Sequence, residues 1–383
     1  MMPIGIYLHI PFCVKKCAYC DFVSYAGKEE IITPYFDALS QELAWYVQRH
    51  LFDDYRPLTL YVGGGTPSLT TPALVRFIQN TEKVWAFDTL QERTIEVNPG
   101  TITDSQLPQL RQAGFNRISI GVQSLHNREL EILGRIHTSQ EAVSCFQAAR
   151  EAGFENINLD LIFGIPTSDL ASWQATLEQV ICLNPEHLSL YNLTIEKETP
   201  FWVLQQQGKL VLPDEETQLA MYQTGITLLT QAGYEHYEIS NFARPGCRSQ
   251  HNQIYWRNEE YLGLGAGATS YIRGCRYTNT PAVEDYIVCA TADHAPYPAT
   301  VVTIEKLDFA ATIGETIMMN LRLIEGIDLT AFSRRFGIAL EEFHVNTLDK
   351  LYDLNLIERY KNHIRLTFRG VLLSNEVFQE FLL

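Results

Sequence analysis

The chain has 383 residues, 46% of them apolar and 19% charged, with a net charge of −16. This is ordinary globular composition, and so acidic a balance works against generic binding to nucleic-acid backbones or to anionic lipid. No run approaches the ~18 apolar residues of a membrane span. The start, MMPIGIYLHIPFC, has no basic segment ahead of an apolar stretch and no signal cleavage site, so a cytoplasmic protein is expected.

In chain order, short apolar runs alternate with amphipathic ones up to about residue 195. Strands are predicted at Ile4–Ile10, Leu58–Val62, Thr94–Val97, Ile118–Gly121, Ile157–Phe163 and His187–Tyr191. Between them, Thr33–Pro34 opens a helix, and Thr103–Gln112 forms another closed by Gly114. Thr138 to Glu141 is a capping box opening a helix that runs to Gly153, and Leu170–Cys182 forms a further helix. Six strands alternating with helices imply parallel strands joined by right-handed crossovers. A partly closed barrel and a doubly wound sheet both fit that pattern, and both bind ligands at the carboxyl ends of the strands.

Four signals lie at those ends: Gly63-Gly64-Gly65-Thr66-Pro67, Glu96-Val97-Asn98-Pro99, Gly121-Val122-Gln123 and Phe163-Gly164-Ile165-Pro166. Purely structural turns would fall at both ends of the strands. Residues 196–300 are less regular, with a helix at Asp214–Gln231, a segment Tyr234–Ser240 and a glycine-rich stretch from Leu262 to Gly267. Residues 301–383 carry helical patterns at Glu315–Leu323 and Thr330–Phe336 and a strand at His363–Thr367, a small winged-helix-like α+β domain.

Three of the eight cysteines crowd into Cys13-Val14-Lys15-Lys16-Cys17-Ala18-Tyr19-Cys20, directly after the first strand. Such spacing lets one loop reach three irons of a [4Fe–4S] cubane and leaves the fourth iron open. A zinc site would want a second cysteine pair, and none is evident. Isolated cysteines such as Cys145 and Cys182 read as core residues.

At this point the chain resembles the radical S-adenosylmethionine (SAM) superfamily. The resemblance implies a partial (β/α)6 barrel, a cluster on Cys13, Cys17 and Cys20, and SAM on the open iron. Within that superfamily the chain is similar to the oxygen-independent coproporphyrinogen III oxidase group. The shared motifs are the runs 7–13, 63–67, 95–99, 119–124 and 158–166. Carried over by position, the resemblance implies SAM contacts at Tyr7, Gly64, Gly65, Thr66, Glu96, Gln123, Arg135 and Asp160. Each has a bland alternative beside the functional one. The glycines admit backbone approach or simply make a turn. Glu96 and Asp160 accept from ligand hydroxyls or ammonium, or cap helices. Arg135 pairs a carboxylate or is a solvated helix residue, and Gln123 is a ligand contact or a satisfied turn residue.

Two features set the chain apart from the oxidase itself. Phe22 stands where the resemblance implies a fourth cysteine, and with six residues before Tyr7 the N-terminal extension of the oxidase is not expected. Both match a branch of the group whose members are heme chaperones. That branch also carries a motif present here as His251-Asn252-Gln253-Ile254-Tyr255-Trp256. His251 is then either an axial heme ligand or a hydrogen-bonded packing residue. The domain reading is 1–195 core barrel, 196–300 barrel completion with the heme motif, and 301–383 a HemN-C-like domain. The functional reading is a protein that binds heme and delivers it to apo-respiratory proteins, with a reductant such as flavodoxin or ferredoxin. The alternative is oxidative decarboxylation of coproporphyrinogen III.

Overall fold

The computed structural model describes residues 1–82, 85, 87–292 and 294–382. The six strands read from sequence are β1 (Met2–Ile10), β2 (Tyr55–Gly64), β3 (Glu92–Val97), β4 (Arg117–Gln123), β5 (Ile157–Phe163) and β6 (His187–Asn192). Between and around them run α1 (Ile32–Gln48), α2 (Thr71–Thr81), α3 (Gln106–Gln112), α4 (Asn127–Leu133), α5 (Ser139–Glu151) and α6 (Leu170–Leu183). All six strands are parallel and lie side by side in chain order. That order decides between the two topologies left open by the sequence. A doubly wound sheet reverses direction at a switch point, whereas every crossover here moves the same way. The helices therefore cover one face, and the other curls into a barrel-like interior.

Later segments extend the sheet on both sides. After α7 (Pro200–Gln206) and α8 (Glu215–Gln231), the short β7 (Glu235–His236) and β8 (Asn241–Ala243) add beyond β6. Past α9 (Gln250–Trp256), β9 (Tyr261–Leu264) pairs parallel with β1, a seventh parallel strand inside the glycine-rich stretch that the sequence left unassigned. Then β10 (Thr269–Ile272), β11 (Cys275–Asn279), α10 (Val283–Ala290) and β12 (Val301–Lys306) follow, and the three strands continue the sheet antiparallel. Among the described residues the sheet has twelve strands, and its end strands β12 and β7 do not pair, so the barrel is open.

Burial explains why the core strands were legible. Six of the seven residues of β5 are buried, and burial does not alternate even where Asn158 and Asp160 alternate with apolar neighbours, as expected when both faces are covered. Leu159 and Leu161 have no exposed surface, and each such side chain stabilises the fold by about 1.5–3 kcal/mol. Local signals agree. Thr138 Oγ1 accepts from Glu141 N while Glu141 accepts from Thr138 N, the capping box that starts α5. Asp169 and Ser172 make a similar pair at α6, and α6 ends on Asn184 in the left-handed region. Two expectations need correcting. The first helix begins at Ile32, continuing a 3-10 turn, with no side-chain cap from Thr33. Cys182 is exposed rather than core, because it lies on the outer face of α6, whereas Cys145 is buried and burial pushes its thiol up to about 12.

The C-terminal part has its own apolar cluster, from Ile313 to Phe381. It starts with α11 (Phe309–Leu321), capped by Asp308, and includes a three-stranded antiparallel sheet of Ile327–Asp328, His363–Leu366 and Ile357–Tyr360. Tyr222 of α8 and Ile239 pack against that cluster, which seats it on the barrel.

Candidate functional site

The cysteine loop is fixed by its backbone. Phe12–Cys13 pairs with Tyr25–Ala26, Ala18 N donates to Leu133 O at 3.0 Å, and Phe201 N donates to Ala18 O at 3.0 Å. The contact of Ala18 with Leu133 also ties the loop to the segment that places Arg135. Helix α4 ends at Gly134, whose left-handed backbone (φ 77) turns the chain back toward the sheet. Arg135 then reaches Gly121 O at 2.8 Å, Asn98 Oδ1 at 2.5 Å and Cys17 Sγ at 3.6 Å. One elbow thus ties the cysteine loop to the ends of β3 and β4.

A cavity of about 350 Å³ opens at the carboxyl ends of the strands. Its lining contains Cys13, Cys17 and Cys20 together with Gly64, Gly65, Thr66, Glu96, Gln123, Arg135 and Asp160. Ten of the twelve residues singled out from the sequence therefore share one cavity. Tyr61, Asn98, Ser119 and Tyr191, to which the sequence reading gave no individual role, also line it. Tyr61 donates to Glu96 Oε1 at 2.8 Å and Ser119 donates to Asp160 Oδ2 at 2.9 Å. The strand period would have found both, since Tyr61 and Gly63 share a face, as do Ser119 and Gly121.

The backbone here is built for close approach. Gly64 has φ 114, and a Cβ on it would lie 2.6 Å from the His9 ring. A Cβ on Gly65 would lie 2.7 Å from Phe12 O and 3.0 Å from Cys13 Sγ. Gln123 is not glycine yet sits at φ 67, beside a register shift in the β4–β5 pairing. Such strain costs of order 1–3 kcal/mol and concentrates at functional sites.

Two carboxylates face this space. Burial pushes Glu96 up to about 7, against hydrogen bonds from Tyr61 and Gly64 N that favour its ionised form. Burial also raises Asp160, which accepts from Ser119 and Asn158. Burial raises Cys13 and Cys20 as well, partly offset for Cys13 by Thr66, whose hydroxyl donates to its sulfur at 3.4 Å. The cavity therefore holds thiols and carboxyls whose ionised forms want positive charge. Arg135 answers only part of that want, and its Nε is a buried donor with no partner among the described residues.

These residues fit a cluster and SAM. Three cysteines on one wall suit three irons, the sulfonium and ammonium of SAM suit the two carboxylates, and a carboxylate would satisfy Arg135 Nε. Among the described residues no three His, Cys, Asp or Glu side chains converge as a mononuclear metal site requires. The corners of a cubane make no such demand.

Two residues fall outside the cavity. Tyr7 donates its hydroxyl toward His9 Nδ1 at 2.9 Å and lines a neighbouring cavity instead. His251 lines neither cavity. It is fully buried, its Nδ1 is 2.7 Å from Thr59 Oγ1 and its Nε2 is 2.8 Å from Tyr255 Oη. Burial holds it down to about 3, so it is neutral, and in this conformation both ring nitrogens are engaged by protein. In this conformation α9 presents its ring to β2 rather than to open space, the packing arrangement of the two weighed from the sequence.

The comparisons agree with this geometry. The radical SAM superfamily profile matches residues 7–180, and the HemN C-terminal domain profile matches residues 311–373. The chain is 37% identical to the heme chaperone HemW of Bacillus subtilis (strain 168) over 380 residues, 98% of each chain. It is 35% identical to the heme chaperone HemW of Escherichia coli (strain K12), covering 99% of this chain and 98% of that one. Among solved structures, coproporphyrinogen III oxidase (HemN) of Escherichia coli, a radical SAM enzyme, superposes with a TM-score of 0.83 at 26% identity. The match covers 100% of this chain and 90% of that one. The chain belongs to the radical SAM superfamily, within its HemW family.

Proposed function

We propose that this protein is a heme chaperone that carries a [4Fe–4S] cluster on Cys13, Cys17 and Cys20 and SAM in the cavity beside it. The observation that carries the SAM half is that two buried carboxylates, a strained Gln123 and the glycine run share one cavity with the three cysteines. The heme half is supported by full-length similarity to two proteins named heme chaperones. A cluster there supplies an electron, and an open iron that SAM chelates. The protein's own residues do the rest. Glu96 and Asp160 hold the cationic groups, Gly64 and Gly65 let backbone lie against the ligand, and Arg135 orients its carboxylate. Delivery is to apo-respiratory proteins in the cytoplasm, with a reductant such as flavodoxin or ferredoxin as electron donor. Among the described residues no helix is long and apolar enough to cross a membrane.

The likeness to HemN supports a second reading, oxidation of coproporphyrinogen III. Phe22 in place of a further cysteine speaks for the chaperone. The deciding experiment gives anaerobically reconstituted protein heme and then a heme-stripped cytochrome. In parallel it gives coproporphyrinogen III with SAM and a reductant. Heme uptake and transfer without decarboxylation supports the chaperone. Steady protoporphyrinogen formation overturns it.

A further inference from the structure

Asp160 reaches the cysteine-lined cavity from β5, and the groups that hold it lie inside the barrel. Its Oδ2 accepts from Ser119 Oγ at 2.9 Å and its Oδ1 from Asn158 Nδ2 at 2.9 Å. Asn158 Nδ2 also donates to Ser119 Oγ at 2.7 Å. The other end of that amide, Oδ1, lies 2.6 Å from His187 Nδ1 and 3.2 Å from Ser189 Oγ on β6. His187 Nε2 in turn lies 2.8 Å from Tyr237 Oη, just past β7. Asn158, His187 and Tyr237 are buried, and none of the three lines either cavity. A polar chain thus runs away from the site into the barrel, and nothing said so far of SAM or the cluster uses it.

The chain has a direction. An ionised carboxylate only accepts, so Asn158 turns its NH2 toward Asp160 and its carbonyl toward His187. A carbonyl also only accepts, so His187 carries its proton on Nδ1. Burial holds His187 well below its ordinary value, so the ring has a single proton and Nε2 is left to accept from the Tyr237 hydroxyl. Tyr237 is held by a further backbone hydrogen bond from Ser249. Every donor from Tyr237 onward therefore points at Asp160. The reverse order is equally well bonded only when Asp160 is protonated. The acid then donates to the Asn158 carbonyl, the amide donates to His187 Nδ1, and Nε2–H donates to Tyr237. An amide free to turn over would favour a neutral Asp160, which has nothing to offer a cationic ligand.

Around Asp160 stand Tyr61 on β2, Glu96 on β3, Arg117 on β4 and Tyr191 on β6. Arg117 favours the carboxylate and Glu96 opposes it, so the hydrogen bonds tip the balance. We propose that His187 is a positioning residue for SAM: through Nδ1–H it locks the Asn158 amide in the one orientation that presents Asp160 to the cavity as a carboxylate. This rests on the SAM reading above.

The test is calorimetric SAM titration of the full, anaerobically reconstituted chain from about pH 6 to about pH 9, with iron content and thermal melts alongside. His187→Leu should weaken SAM by about tenfold at neutral pH, the low end of what losing an outer partner of a ligating group costs. The rise of affinity with pH should move about one unit toward alkaline pH, and iron per chain should not change. His187→Asn, whose amide can donate to Asn158 from the place of Nδ1, should recover most of the loss. Tyr237→Phe removes one atom far from the cavity and should weaken SAM by about threefold, with the same direction of pH shift. It carries the test if His187→Leu does not fold. A merely structural histidine would lower the melting temperature in these variants and leave SAM affinity and its pH profile at wild type. That result overturns the inference and leaves the SAM reading standing, as does a loss of affinity equal at every pH. A wild-type chain that binds no SAM overturns the SAM reading itself.

Discussion

Glu92 and Glu96 are the same residue type on the same strand, pointing to the same face, one at each end of β3. Glu92, at the amino end, is almost fully enclosed and satisfied. Its carboxylate accepts from Gln250 N at 2.8 Å, His251 N at 3.1 Å and Ser249 Oγ at 3.4 Å, at the start of α9. A helix N-terminus is where a carboxylate is stable, so this end of the barrel is plugged by a closed polar network. Glu96, at the carboxyl end, faces a cavity, and burial pushes it up to about 7 despite two donors. Identical chemistry is thus a fastener at one end and is left facing a cavity at the other. What separates the two roles is whether the surrounding fold completes the group's interactions.

The comparison can be broken most decisively at the open end. Cys20→Ala should drop iron from about four per chain to below about one, measured by iron analysis on anaerobic protein, because two thiolates hold a cubane poorly. Zinc in place of iron in the wild type would end the reading of this end as a cluster site. Gly65→Val should weaken SAM by at least about 100-fold, roughly 2.7 kcal/mol, measured calorimetrically. It should also disturb the cluster, because its Cβ meets Phe12 O and Cys13 Sγ. Normal SAM binding would make the glycine run a mere turn.

The two glutamates then test the contrast directly. Glu92→Gln should cost about 1.5–3 kcal/mol of unfolding free energy, by loss of charge-assisted bonds to α9, and leave SAM affinity alone. Glu96→Gln should do the reverse, weakening SAM by about tenfold, roughly 1.4 kcal/mol, at little cost in stability. Equal effects of the two on SAM binding would erase the distinction. The pH dependence sharpens it. Glu96 titrates above its free value in the fold, so the unliganded fold favours its protonated form and loses that gain as pH rises toward about 7. A cationic ligand favours the carboxylate. SAM affinity should therefore rise between about pH 6 and pH 8, with a proton released on binding below neutrality, seen in buffers of different ionisation enthalpy. A flat profile in the wild type would contradict the assignment. The smallest effect belongs to a residue remote from both ends. Asp169→Ala should remove the α6 cap for about 1 kcal/mol, seen in denaturant melts, with ligand binding unchanged.

The core strands and the cysteine-lined cavity were legible because their signals are local. The run Gly63 to Thr66, the Cys13–Cys20 loop and the apolar β5 each declare themselves within ten residues. The seventh parallel strand was not legible, because Tyr261–Leu264 carries a glycine and pairs with Gly5–Leu8, more than 250 residues away. The neighbouring cavity escaped for the same reason, as Tyr7, Trp256 and Met319 meet only in the fold. His251 is a mixed case: its motif was visible in the sequence, but its contacts with Thr59 and Tyr255 come only from the packing of α9.

The pairing of β9 with β1 also bears on how the chain is born. Strand β1 leaves the ribosome first yet ends in the middle of the sheet, between β2 and β9. Successive crossovers can lay down β2 to β6 against it as they emerge, since each neighbour is the next strand in line. The other edge of β1 has no partner until residues 261–264 arrive. For most of synthesis the nascent protein therefore carries an apolar strand, Ile4 to Ile10, open along one side, and such edges recruit other chains. A product terminated before Tyr261 should accumulate as aggregate rather than as a smaller working barrel, which makes this late, short strand the step that commits the molecule to solubility.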